Sequence, residues 1–414
     1  MKNRLFSLQS VALSALIVLT LIGTRFAQAQ TTDPTILASF SGTNGINPGA
    51  GLTLSNDGLT FYGSTYRGGP SGNSGTVFSI PVGGGVITTL ASFNSTNGGS
   101  PVGDLILNGN TLYGTTMAGG AGGYGTVFSV PTSGGAPTTL GTFRNGITGL
   151  FPTGGLTLGG STLYGTTQQG GTRNAGTVFS VPLAGGTIKN IVNFGDTNGD
   201  NGASPRGGVI LLNGKLYGTS YGGGGNSTVF SVPLAGGTPT TLGSFGASSS
   251  GPTGMLTLIG STLYGTTSMG GASSSSAGTV FSMPLEGGAI TTLASFDGTN
   301  GGGPAGRLTL VGTTLYGTTE YGGPGNEGTL FSIPLGGGAI TTLIAFNGTN
   351  GSGASSNLTL IGNTLYGTTS RGGAFDDGTV FSVNVPEPPA WATVLGGSGL
   401  LALGMNRRVR RAQA

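Results

Sequence analysis

The candidate catalytic carboxylates, such as Asp104, Glu286, Glu320 and Asp376, stand outside the repeated phrases of the chain. Glycoside hydrolysis needs two such acids about 5–10 Å apart, one to protonate the leaving oxygen and one to act as nucleophile or base. These four recur at no shared position, so only the fold can bring any two together. Serine and threonine are abundant, but the chain has no His to activate them. Ser–Lys chemistry would have to use Lys189 or Lys215, and neither sits in a nucleophile motif. The segment Asp196-Thr197-Asn198-Gly199-Asp200 places oxygen ligands at alternate positions, as the start of a calcium loop does. Asn201 then stands where that loop needs Gly, and Gly207 stands where it needs Glu. These departures favour a turn, with Asp196, Asn198 and Asp200 as the calcium alternative. The many Gly-x-Gly strings open no helix and read as turns, not phosphate cradles.

A second group of residues suits binding better than catalysis. Tyr66, Arg67, Tyr124, Tyr221, Tyr321 and Arg371 all interrupt otherwise small and polar loops. Tyr offers an apolar face with a polar tip, and Arg offers a planar fork of donors. Together they form a candidate glycan- or protein-binding face. The plain alternative is solvated loop decoration.

Composition narrows the rest. The 414 residues include 89 Gly and 20 Pro, 15 basic and 12 acidic residues, and neither Cys nor His. Strict Gly-X-Y spacing is missing, which excludes collagen. Absent Cys excludes disulfides, thiolate nucleophiles and the usual zinc and iron–sulfur sites. No cofactor is expected.

The elements that must position these side chains come as seven copies of one unit. The phrase L-Y-G-T-T has its Tyr at 62, 113, 164, 217, 264, 316 and 366, with Phe61 replacing Leu in the first copy and serines replacing single threonines in two. The phrase G-T-V-F-S has its Phe at 78, 128, 179, 230, 281, 331 and 381. The phrase T-T-L-x-x-F ends at Phe40, 93, 143, 194, 245, 296 and 346, and an L-T-L-type phrase precedes each Tyr. All four are rich in Val, Thr, Leu and aromatics and are separated by Gly-rich turns, as short antiparallel strands are. Four strands per repeat of about 50 residues predict a seven-bladed β-propeller of four-stranded antiparallel blades. A β-solenoid is the alternative. The last copy lacks its fourth strand, and that strand stands alone at the start as Thr35 to Phe40. Pairing the two would close the ring one-plus-three and leave no open edge. The repeated aromatics read as inter-blade core. Gly after each Tyr reads as close approach to a neighbouring blade.

The two ends read as addresses. Lys2 and Arg4, then the apolar run from Val11 to Gly23, then Ala27-Gln28-Ala29, predict a signal peptide over 1–29 with signal peptidase cutting after Ala29. An uncleaved membrane anchor is the alternative. At the other end, residues 386–414 hold Pro386-Glu387-Pro388, a short apolar run from Ala390 to Met405, and Arg407, Arg408, Arg410 and Arg411. Sixteen residues of helix span about 24 Å, short for a bilayer core of about 30 Å. The arginines should stay cytoplasmic. A transient or weak anchor follows, a simple tail anchor being the alternative. Between the ends, residues 30–385 carry 8 basic and 11 acidic residues, a net charge of −3. The basic balance therefore belongs to the two ends, and a nucleic-acid partner is not expected.

The C-terminal tripartite segment resembles the PEP-CTERM sorting signal of Gram-negative bacteria. The resemblance implies an exosortase-type sorting protease, removal of the tail, and delivery to the cell surface or extracellular matrix. The L-Y-G-T-T-x-x-G-G…G-T-V-F-S repeat, from about 35 to 384, resembles the Gloeobacter–Verrucomicrobia tandem repeat of bacterial surface proteins, which use different C-terminal anchors. That resemblance implies secretion through the inner membrane and surface display, and brings no catalytic residues. The expected function is a non-enzymatic structural or adhesive module, binding exopolysaccharide or a surface protein. The alternative is a secreted carbohydrate-active hydrolase or lyase using loop carboxylates.

Overall fold

The computed structural model describes residues 33–144, 147–195, 202–222, 227–246, 251–272 and 276–385. Ala27 and Ala29, the calcium-like Asp196, Asn198 and Asp200, and the sorting segment from Pro386 through Arg411 lie outside the described residues.

Within them every regular element is a strand. Each repeat folds into one antiparallel sheet, for example Thr157–Gly159, Thr162–Thr167, Thr177–Pro182 and Lys189–Asn193, paired in chain order. Seven such blades form a β-propeller. Blades are numbered 1 to 7 from the sheet that begins at Thr53. The ring closes as the sequence predicts: the first strand, Thr35–Ser39, pairs antiparallel with the third strand of blade 7, Thr35 opposite Ser382 and Ser39 opposite Thr379. The innermost strands are only two or three residues long in most blades, because Gly-rich backbone precedes them. In blade 2 pairing runs further, over Gly99–Asn108.

The repeated side chains hold blade to blade. All fourteen repeat phenylalanines are buried. They form seven edge-to-face pairs, each joining the outer strand of one blade to the third strand of the next, with ring centroids 4.9–5.3 Å apart. Phe40–Phe78 and Phe346–Phe381 carry this pattern across the closure. Each pair adds about 0.5–1.5 kcal/mol to the burial of its rings. Threonines do the polar half. Seven buried hydroxyl pairs, such as Thr319 with Thr329 at 3.0 Å and Thr369 with Thr379 at 2.8 Å, tie second strand to third. The inner-strand threonines reach the next blade: Thr309 donates to the Leu358 carbonyl at 3.0 Å, and Thr359 to Leu52 at 2.6 Å.

One expectation needs correcting. The Gly after each Tyr makes room within its own blade. A Cβ on Gly165 would lie 2.7 Å from Cζ of Phe179, its partner on the paired strand. The same holds for Gly63 against Phe78 and Gly367 against Phe381. Backbones of neighbouring blades do approach closely, but at another position, two residues before the L-T-L-type phrase, which is Gly in five of the seven copies and Ala50 and Ser356 in the other two. There a Cβ on Gly154 would meet the Gly207 backbone at 2.6 Å, and one on Gly254 the Ala305 carbonyl at 2.6 Å.

Candidate functional site

Two sets of loops share one face. The loop between second and third strands pairs with the loop entering the same blade. Ile46 N–H donates to the Arg67 carbonyl at 2.8 Å, and Arg67 N–H returns to Ile46 at 3.0 Å. Ser352 and Arg371 repeat the exchange at 2.8 and 3.0 Å. Among the described residues the opposite face carries tight turns, such as those in which Ser55 N–H donates to the Thr60 carbonyl and Gly84 N–H to the Pro81 carbonyl.

The loop-rich face opens at its centre into a cavity of about 630 Å³. Tyr66, Glu320, Ser370 and Arg371 line it, with Asn47, Thr153 and Ser355 from the inner segments. Tyr66, Glu320 and Ser370 occupy one position, the residue after L-Y-G-T-T, in blades 1, 6 and 7. Those blades are neighbours across the closure, so residues more than 250 positions apart meet. Glu320 and Arg371 are exposed, and Tyr66 is half-buried.

Beneath lies an axial chamber of about 140 Å³, which shares Gly49, Gly103, Thr153 and Ser355 with the mouth. Its wall comes from all seven blades and includes Asp104, Arg206, Met255 and Asn357. Asp104 Oδ1 accepts the Gly51 N–H at 2.6 Å, and its Oδ2 accepts from the Asn357 amide. Asn357 Oδ1 in turn accepts the Arg307 N–H. This chain links blades 6, 7, 1 and 2, and it can pass because Gly51 has no side chain in its way. Arg206 stacks on Tyr221, its guanidinium carbon 3.9 Å from the ring centroid. With its oxygen turned toward Arg206, the Gln168 amide accepts from Nη2 at 3.0 Å and Nε at 2.9 Å. Around the same axis, the second-strand hydroxyls of Thr166 and Thr368 donate to the carbonyls of Gly207 and Ala50 in the following blade.

The candidate binding residues thus separate. Tyr66 and Arg371 converge on the mouth. Arg67 stands beside Tyr66, 5.7 Å from its ring centroid. Tyr221 is engaged with Arg206. Tyr321 lies over Gly302 and Gly303, where added Cβ atoms would touch its ring. Tyr124 packs against the apolar cluster around Phe143 and Phe179.

The candidate acids separate as well. Asp104 lines the chamber and Glu320 the mouth. Glu286 sits in a turn on the opposite face, beside Gly287. Asp376 accepts the Gly372 N–H at 2.8 Å within its own loop. Lys189 begins an outer strand and Lys215 a second strand, and neither lines the mouth or the chamber. Among the described residues, no group of three or more Asp or Glu side chains is placed to hold a metal ion.

Arg206, Gln168 and Asn357 escaped the sequence reading. For Asn357 the available signal is alignment of the seven copies on L-T-L. The preceding residue is then Gly51, Asp104, Gly155, Gly208, Met255, Arg307 and Asn357. In that column, partly Gly and otherwise large or polar, Asp104, Met255 and Asn357 line the axial chamber.

The model of the Gloeobacter/Verrucomicrobia repeat family matches residues 22–227 and 196–381. No curated protein matches the sequence. Solved structures share the fold at low identity. A puromycin-hydrolyzing peptidase of Mycobacterium tuberculosis is 15% identical, with TM-score 0.52, over 86% of this chain and 54% of its own. An oligogalacturonate lyase in complex with manganese is 12% identical, with TM-score 0.51, over 83% and 90%. The extracellular domain assigned to hybrid two component system BT4673 from B. thetaiotaomicron is 12% identical, with TM-score 0.54, over 84% and 39%. The chain therefore spans about half or less of two of these three. At such identities the likeness shows the propeller alone.

Proposed function

The chain belongs to the Gloeobacter/Verrucomicrobia repeat family, and on that premise we propose that it is a surface-displayed, non-enzymatic propeller that adheres through its loop-rich face to exopolysaccharide. One observation carries the reading. The residues kept in every copy build the ring, whereas Tyr66, Glu320 and Arg371, which break the pattern, meet in one open polar cavity. Loops on a rigid scaffold are where binding residues concentrate.

The placement of the chain ends supports display. Val385, the last described residue, donates its N–H to the Asn363 carbonyl in a turn at 2.8 Å, on the face away from the cavity. Thr35 pairs with Ser382 near the same face.

In this reading signal peptidase cuts after Ala29, and an exosortase-type protease reads Pro386-Glu387-Pro388 and the Arg407–Arg411 cluster during transient membrane association. The protein then resides at the surface or in the matrix. Two experiments test the function. A glycan array combined with a turnover screen on the full chain should give binding without product formation; turnover lost on replacing Glu320 would overturn the non-enzymatic reading. Replacing Pro386-Glu387-Pro388 by alanines should block C-terminal processing, and unaltered processing would remove the sorting claim.

A further inference from the structure

The mouth cavity has a chemistry more specific than polysaccharide in general. Arg67 and Arg371 occupy the same position of adjacent blades 1 and 7, where the other five blades carry Ala118, Gln169, Gly222, Met269 and Tyr321. Both arginines are exposed, and both are fixed at the backbone by the bridges to Ile46 and Ser352. Arg371 lines the mouth, and among the described residues no acceptor is seen on its guanidinium. Tyr66 lies half-buried in the same wall, with the Arg67 guanidinium 5.7 Å from its ring centroid. Ser355, Ser370 and Asn47 supply small polar groups around them. Two neighbouring carboxylates are already engaged: Glu327 accepts from the Ser352 hydroxyl, and Asp376 from the Gly372 N–H. Glu320 is the carboxylate that lines the mouth.

We propose that this mouth is a subsite for an acidic saccharide, a hexuronic acid unit whose carboxylate pairs with Arg371 while its ring lies on Tyr66. The proposal rests on the adhesive reading above and names its ligand class. A guanidinium fork matches a carboxylate with two parallel hydrogen bonds. An aromatic face takes the apolar face of a sugar ring, and hydroxyl and amide groups take its hydroxyls. The cavity volume lies within the range of small-molecule pockets, about 300–1,000 Å³. Glu320 opposes that preference: it repels the carboxylate and so holds the affinity below what Arg371 alone would give.

The test uses calorimetry on the full chain with two matched probes, a β-1,4-linked glucuronic acid trimer and the glucose trimer of the same linkage. The acidic trimer should bind at least about tenfold tighter, since charge-assisted hydrogen bonds are the stronger kind. Arg371→Ala should remove that preference, and Arg371→Lys should restore part of it. Glu320→Gln should tighten binding of the acidic trimer about threefold, a gain that a misfolded variant cannot mimic. Added salt should weaken the acidic trimer and leave the neutral one unmoved. Equal binding of both trimers, or an acidic preference that survives Arg371→Ala, overturns the subsite and leaves adhesion standing. Failure of both trimers, together with an array on which the chain binds no glycan, overturns the adhesive reading itself.

Discussion

The inter-blade seams and the axial mouth are built from the same seven repeats and follow opposite rules. At the seams every copy is alike. The Phe143–Phe179 pair recurs at all seven, and inside each blade the Thr167–Thr177 hydroxyl pair (Ser220–Thr228 in blade 4) and Gly165 recur with it. At the mouth the copies differ. The position after L-Y-G-T-T carries Tyr66, Met117, Gln168, Tyr221, Ser268, Glu320 and Ser370. Repetition marks what a blade owes its neighbour, because each seam meets the same geometry. Variation marks positions that no single inter-blade contact fixes: Gln168 and Tyr221 are taken up by Arg206, whereas Tyr66 and Glu320 line the mouth.

Substitutions can break that contrast, the largest effects falling at the seams. Phe179→Ala should lower stability by about 3–5 kcal/mol, read as a shift of the urea midpoint. Phe381→Ala should cost about as much, because the closure blade makes the same pair. A much smaller cost there would mean that the ring is weaker at its closure. Gly165→Ala comes next, at about 1–3 kcal/mol, since its methyl must displace the Phe179 ring or its own strand. Thr319→Val keeps the shape but removes the oxygen that accepts the Thr329 N–H and the hydroxyl that donates to the Tyr321 carbonyl, while the Thr329 hydroxyl keeps its bond to the Asn300 carbonyl. It should cost about 1–3 kcal/mol. By contrast, Arg371→Ala should shift stability by no more than about 0.5 kcal/mol.

The smallest expected effect is in the acid response. The Thr299 hydroxyl, helped by the Asn300 N–H, holds the Asp297 carboxyl below its ordinary 3.8. The Ser55 hydroxyl and then the Leu59 N–H do the same for Asp57. The unfolded chain therefore takes up these protons first. Their stabilisation is present above pH 3.8 and lost as pH falls through the lower folded values. Asp297→Asn keeps the turn, as Asn94 and Asn347 show in other blades. It should slightly flatten the urea midpoint between pH 5 and 2, and a steeper fall would contradict this sign.

The scaffold was legible because strand pattern and copy number are periodic. Seven aligned phrases, with Thr35 to Phe40 stranded at the start, dictate both blade count and closure. The mouth was half legible. Tyr66 and Arg371 stood out as off-pattern, but Tyr124 and Tyr321 stood out equally, and Tyr124 packs at the seam to the next blade and Tyr321 over its own. Loop identity alone does not say how far a residue lies from the axis. The Gly next to each Tyr misled for a related reason. A close approach is visible in sequence as a missing side chain, but its partner is not, and here it is Phe179 in the same blade, not the blade beside it. The Asp104–Asn357 bond joins residues 253 positions apart and becomes evident only when the ring is closed.

The contrast between seam and mouth comes to its sharpest test in one pair of proteins. The full chain and its Tyr66→Ala, Arg371→Ala double variant should be compared on one glycan array, with thermal unfolding measured on the same samples. The expected result is an unfolding midpoint that matches the parent and glycan binding that is lost. Binding that persists in a folded double variant would contradict the assignment of the mouth as the adhesive site.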